Sequence, residues 1–112
     1  MTTKQISMFN FEETSMDTRV KTLNEIKEVC STCIKCNLAK SRTRIVFSAG
    51  NPEARLMLIG EAPGRQEDET GVPFVGRAGQ LLDKILLSQN ITRQKDIYIC
   101  NTVKCRDRKS VV

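Results

Sequence analysis

An α/β fold built on a parallel sheet follows from three features of this sequence. Two short, continuously apolar segments, Leu56-Met57-Leu58-Ile59 and Ile97-Tyr98-Ile99-Cys100, have the length and composition of buried strands. Between them, Ala78, Leu81, Leu82, Ile85 and Leu86 recur at helical spacing. Strand, helix and strand in that order form a βαβ unit, whose two strands run parallel through a right-handed crossover.

The elements follow in chain order. Residues 1–16 carry no sustained periodicity and read as a loose leader. Asp17 is suited to N-cap a helix in which Val20, Leu23, Ile26 and Val29 recur, and this helix delivers the chain to cysteines at 30, 33 and 36. A basic loop, Lys40-Ser41-Arg42-Thr43-Arg44, leads to a short β-type segment at Ile45–Phe47. Gly50-Asn51-Pro52 then forms a turn before the strand that ends at Gly60. Being apolar throughout, that strand is expected at the centre of the sheet, covered on both faces. A loop spans residues 61–76, a helix runs from about Arg77 to Gln89, and Asn90 is its C-terminal stop.

Ligands of such sheets bind beyond the carboxyl ends of the strands. Glu61 follows the first strand and Asn101 the second, so a carboxylate, an amide and the Gly/Pro-rich loop between them are expected along one edge. Gly60-Glu61-Ala62-Pro63-Gly64 matches neither GxGxxG nor GxxxxGK[ST], which disfavours those two kinds of nucleotide site. Its glycines and proline also suit a plain strand-to-helix connection. Phe74 would by default belong to the core, but a loop at the ligand edge also suits it as a platform for a planar ring. Asn101 fits a strand-ending turn, and its amide, both donor and acceptor, equally fits a pyrimidine edge.

The 112 residues leave room for one small domain, and 39% hydrophobic residues is an ordinary globular composition. The longest apolar runs are far too short to cross a bilayer, and no apolar segment follows a basic one at the N-terminus. A cytoplasmic protein is the expectation. The net charge of +5 is concentrated in Lys35, Lys40, Arg42 and Arg44, and again in Lys104, Arg106, Arg108 and Lys109. Each stretch suits phosphates, or simply a solvated face. With no histidine in the chain, Cys/His zinc fingers, Ser/His/Asp triads and Cys/His dyads are excluded within it.

Five cysteines in a reducing compartment point to metal or redox work rather than disulfides. Cys33-x-x-Cys36 brings two thiolates together on a short turn, and the basic loop after it is not a thioredoxin-like context, so metal ligation is favoured. Cys105 is a third candidate. Cys30, at a helix end, and Cys100, in an apolar strand, are weaker ones.

Together the motifs CxxCxLAxSRTxxVF, GNPEARLMLIGEAPGxxED, GxPFVGRAGQLLDKIL and YICNTVKCR, in that order and from about Cys33 to Arg106, resemble the family 4 uracil-DNA glycosylases. The resemblance implies a three-layer uracil-DNA-glycosylase-like α/β fold with a central parallel sheet, incomplete in this chain, with residues 17–106 as its N-terminal part. It implies a base-excision repair enzyme that acts on uracil-containing DNA, is a monomer and carries a [4Fe–4S] cluster. Carried over residue by residue, Glu61 is catalytic, Ala62, Phe74 and Asn101 bind uracil, and Cys33, Cys36 and Cys105 ligate the cluster. The fourth ligand and a later histidine-bearing motif are missing from the sequence. Ala62 stands where a better-known glycosylase family has aspartate, which makes the role of Glu61 less secure than that of Asn101.

The resemblance stops at Arg106, where the family continues with Pro-Pro and Asn-Arg. Asp107-Arg108-Lys109-Ser110-Val111-Val112 is what one reading frame of a common sequencing-library adapter encodes, with a stop triplet next. Residues 107–112 are therefore expected to be an artificial tail, and the chain inactive by itself. Two other readings remain at this level: a metal-stabilised DNA-binding module without catalysis, and a CxxC redox protein, which gives no reason for the other three motifs.

Overall fold

The computed structural model describes residues 22–109. The expected leader at 1–16, the Asp17 cap, Val20 and the end of the tail at 110–112 lie outside the described residues. Residues 22–31 are helical (α1), followed by α2 (Leu38–Ser41), β1 (Ser48–Gly50), β2 (Leu56–Gly60), α3 (Arg65–Thr70), α4 (Arg77–Ser88), α5 (Arg93–Asp96) and β3 (Ile97–Asn101). Among the described residues no helix is long and apolar enough to cross a membrane.

The sheet has the order β1-β3-β2. β2 and β3 run parallel, pairing Leu56 with Ile97 through to Gly60 with Asn101, which is the expected βαβ pair. β1 is antiparallel to β3, so the sheet is mixed rather than wholly parallel. The first β-type segment is also displaced. Ile45–Phe47 lies ahead of the ladder, where Val46 N–H donates to the Lys104 carbonyl, and pairing begins only at Ser48 opposite Cys100.

The expectation that Leu56–Ile59 is the central, doubly covered strand is overturned. β3 occupies the centre and is buried at four of its five positions, whereas β2 is an edge strand whose Leu56, Met57 and Ile59 are exposed. The reason lies in its partners: among the described residues β3 alone pairs with β2. Leu58 instead packs against the core formed by Leu86, Ile97 and Ile99, together with Phe74, Leu82 and Ile91.

The long helix α4 ends within one residue of its expected limit, and Asn90 beyond it takes the left-handed conformation, φ 60°, that stops helices. Its apolar face is only partly used. Leu86 is buried and Leu82 partly so, while Leu81 and Ile85 are exposed. Likewise Ile26 and Val29 of α1 are exposed, so that helix adds little to the core. The connection at 61–76 is not only a loop, because it contains α3. Two more short helices, α2 and α5, were also not anticipated.

Candidate functional site

Beyond the ladder, two further bonds carry the parallel pairing past the strands: Thr102 N–H donates to the Gly60 carbonyl and Val103 N–H to that of Glu61, each at 3.0 Å. The segments after β2 and β3 therefore leave the sheet side by side. Over this edge opens a cleft of about 470 Å³, lined among others by Glu61, Ala62, Phe74, Arg77 and Asn101. All four cleft residues expected from sequence (Glu61, Ala62, Phe74 and Asn101) are thus brought together.

Asn101 is 3% exposed, and its side-chain amide has no hydrogen-bond partner among the described residues. The amide atoms open onto the cleft, where a ligand can complete their hydrogen bonds. Phe74 lies beside it. A methyl at Gly60 would collide with both the Asn101 Oδ1 and the tip of the Phe74 ring, so the missing side chain at 60 makes room for both. Gly79 does the same from α4, since a methyl there would strike the Phe74 carbonyl group. Glu61 is exposed at the cleft, and its carboxylate has no partner among the described residues.

Three supporting residues were not found from the sequence. Glu67 joins the two lips of the cleft: its Oε1 accepts from Gly64 N–H (3.0 Å), and its Oε2 from Val75 N–H (2.9 Å) and Gly76 N–H (2.8 Å). Partial burial pushes its pKa up, but the backbone N–H groups of Gly76, Glu67 itself, Val75 and Gly64 outweigh this and lower it below 4.5. The signal was present as half a capping box, with glutamate three residues after the N-cap Gly64, which has no side chain to reciprocate.

Asp68 is 1% exposed and anchors the basic loop. Its Oδ1 accepts from Thr43 N–H (2.7 Å) and Arg44 N–H (3.2 Å), and its Oδ2 lies 3.5 Å from Arg108. Burial again opposes ionisation, and the Thr43 and Arg44 amides, the Thr43 hydroxyl and the Arg108 charge more than offset it, lowering the pKa. Arg93, the third, donates from Nη1 to the Pro73 carbonyl and from Nη2 to the Phe74 carbonyl, both at 2.6 Å. No local pattern announces contacts of that sequence separation.

The two basic stretches are used differently. Lys104 turns inward, donating to the carbonyls of Asn101 (2.6 Å) and Phe47 (3.1 Å), and Arg108 donates to the Ser41 carbonyl (2.6 Å). Lys35 and Lys40 stay exposed, and Arg65 and Arg77 stand at the cleft as the first residues of α3 and α4.

The candidate metal ligands are not gathered. Among the described residues no group of three or more His, Cys, Asp or Glu is placed to hold a metal ion. Cys36 is exposed, Cys33 is half-buried, and the buried Cys105 accepts a hydrogen bond from Arg42 Nη1 at 3.4 Å. The donor chemistry, three thiols with a cation beside one of them, suits a thiolate-bound metal, but the present spacing does not.

Residues 47–111 match the family model described as the uracil DNA glycosylase superfamily. The chain is 46% identical over 91 residues to a type-4 uracil-DNA glycosylase of Thermotoga maritima, covering 81% of this chain and 47% of that protein. It is 45% identical over 87 residues to one of Archaeoglobus fulgidus (78% and 43%), and 44% identical over 84 residues to one of Sulfurisphaera tokodaii (75% and 38%). The chain spans less than half the length of these relatives.

Proposed function

This chain belongs to the uracil DNA glycosylase superfamily, and on that footing we propose that its cleft captures a deoxyuridine flipped out of DNA for hydrolysis of the N-glycosidic bond. The observation that carries this reading is the Asn101 amide, unpartnered among the described residues and open to the cleft, set beside the Phe74 ring on the cleft wall.

A base inside a duplex is out of reach, so the nucleotide is extruded and read in the pocket. Phe74 returns stacking energy to the flipped base, about 1–3 kcal/mol on the scale of other base–aromatic contacts. The Asn101 NH₂ group donates to the uracil O4 and its Oδ1 accepts from the uracil N3–H. Cytosine presents a donor where uracil has O4 and an acceptor at N3, so it would leave both amide atoms opposed. Ala62 keeps the adjacent wall small. Arg65 and Arg77, at the cleft, face the flanking phosphates.

Cleavage breaks the N1–C1′ bond with its electron pair passing to uracil, leaving a sugar with oxocarbenium character that water then attacks at C1′. Glu61, whose residue lines the cleft, is the carboxylate assigned to orient that water and stabilise the developing positive charge. A [4Fe–4S] cluster held by Cys33, Cys36, Cys105 and one cysteine from outside this sequence would supply structural support, pinning the N-terminal segment to the sheet. This ligand set requires the Cys33–Cys36 turn to close on Cys105. The protein acts as a monomer in the cytoplasm.

The test is uracil release from a labelled single-stranded oligonucleotide by this chain extended with the part of the Thermotoga maritima relative beyond the matched stretch. Release from deoxyuridine but not from deoxycytidine is expected. No release from deoxyuridine by a folded, extended chain would overturn the reading.

A further inference from the structure

We infer that Arg93 is the positioning residue for the Phe74 platform, an inference that rests on reading the cleft as a site of pyrimidine capture. Phe74 has φ 56°, in the left-handed region that a bulky L-residue rarely enters without external restraint. The restraint comes from both sides of the residue. The carbonyls of Pro73 and Phe74 accept from Nη1 and Nη2 of Arg93 at 2.6 Å each, while the next two N–H groups, of Val75 and Gly76, are held by Glu67. A cation thus fixes the carbonyls entering the turn and an anion fixes the amides leaving it.

Arg93 is itself anchored. Its side chain is 9% exposed, and Nε and Nη2 lie 3.0 and 2.9 Å from Oδ1 of Asp83 on α4. A planar guanidinium reaches two carbonyls and a carboxylate together, which the single ammonium of lysine does not. Arg93 opens α5, which runs directly into β3 and ends at Asn101. The segment that carries the amide therefore also holds the ring, which couples the two pocket walls. Arg93 does not line the cleft, so its effect on a ligand passes through Phe74.

The test compares the 112-residue chain with Arg93→Ala, Arg93→Lys and Asp83→Asn, using Phe-selective ¹³C/¹⁵N labelling and titration with a short single-stranded oligonucleotide carrying one deoxyuridine. Both Arg93 variants are expected to move the Phe74 Cα shift away from its left-handed value. Arg93→Ala should weaken deoxyuridine binding about tenfold, the scale of one lost charged hydrogen bond, with Asp83→Asn intermediate. If Arg93→Ala fails to fold, Arg93→Lys decides. A lower melting temperature with unchanged Phe74 shifts and unchanged affinity would make Arg93 merely structural and overturn the inference. If wild type shows no preference for deoxyuridine yet Arg93→Lys still moves the Phe74 shift, the capture reading fails while the clamp stands.

Discussion

Gly60 and Asn101 stand opposite each other at the last pair of the parallel β2–β3 register, and the glycine leaves the space in which the Asn101 Oδ1 and the Phe74 ring meet. Gly60→Ala is expected to displace one of them, since neither the buried strand nor the clamped loop yields easily. Overpacking of this kind costs about 1–3 kcal/mol. Deoxyuridine affinity, read by fluorescence anisotropy, should fall about tenfold or more, and wild-type affinity would show that the two side chains do not share that space with the ligand.

Asn101→Ala is expected to reduce uracil release by the extended chain far more than Lys95→Ala, because Lys95 is exposed and its side chain makes no hydrogen bond or ion pair among the described residues. An unmatched base edge must be desolvated in the pocket, at about 1–3 kcal/mol. Phe74→Ala should weaken capture of the flipped base without abolishing folding. Unchanged release by both pocket variants would remove the proposed pocket.

Glu67 makes acid stability a further readout. Its folded pKa is lowered, so the stabilisation it gives is complete above its ordinary value of 4.5 and is lost as pH falls through the folded value. Asp68, also lowered from its ordinary 3.8, adds a second loss at more acid pH. Melting temperature should decline on acidification below about pH 4.5, and Glu67→Gln should be less stable at neutral pH with a flatter decline. Loss of a charged hydrogen-bond acceptor of this kind costs about 1.5–3 kcal/mol.

The cluster proposal is tested by colour and iron content. Cys33→Ala or Cys36→Ala in the extended chain should abolish the brown chromophore and lower stability. Cys30→Ala should leave it intact, and so should Cys100→Ala, a change within the buried strand β3. Loss of colour in the latter two with retention in Cys33→Ala would reassign the ligands.

What could be read from the sequence was what local pattern determines. The apolar run Ile97–Cys100 marked a strand, and α4 keeps helical spacing up to a left-handed Asn90, so both elements and the edge joining Glu61 to Asn101 were legible. The burial of β2 was not, because an apolar run shows that a segment can be covered, not that its neighbours cover it. Helix α3 was hidden by its polar sequence RQEDET, which has no apolar stripe. Asp68 and Arg93 were invisible for a different reason: their partners, Thr43 and Arg44 in one case and Pro73 and Phe74 in the other, lie some twenty residues away. The approach of Cys33 and Cys36 to Cys105, expected from the motifs, is not realised among the described residues.

The central claim is that Asn101 reads the edge of a uracil ring stacked on Phe74. The most direct measurement is a heteronuclear NMR titration of the labelled chain, following the Asn101 side-chain NH₂ and the Phe74 ring as deoxyuridine or deoxycytidine oligonucleotides are added. Deoxyuridine should shift both signals together, and deoxycytidine should leave the Asn101 amide unmoved. An Asn101 amide that ignores deoxyuridine, or responds equally to both bases, would contradict the account.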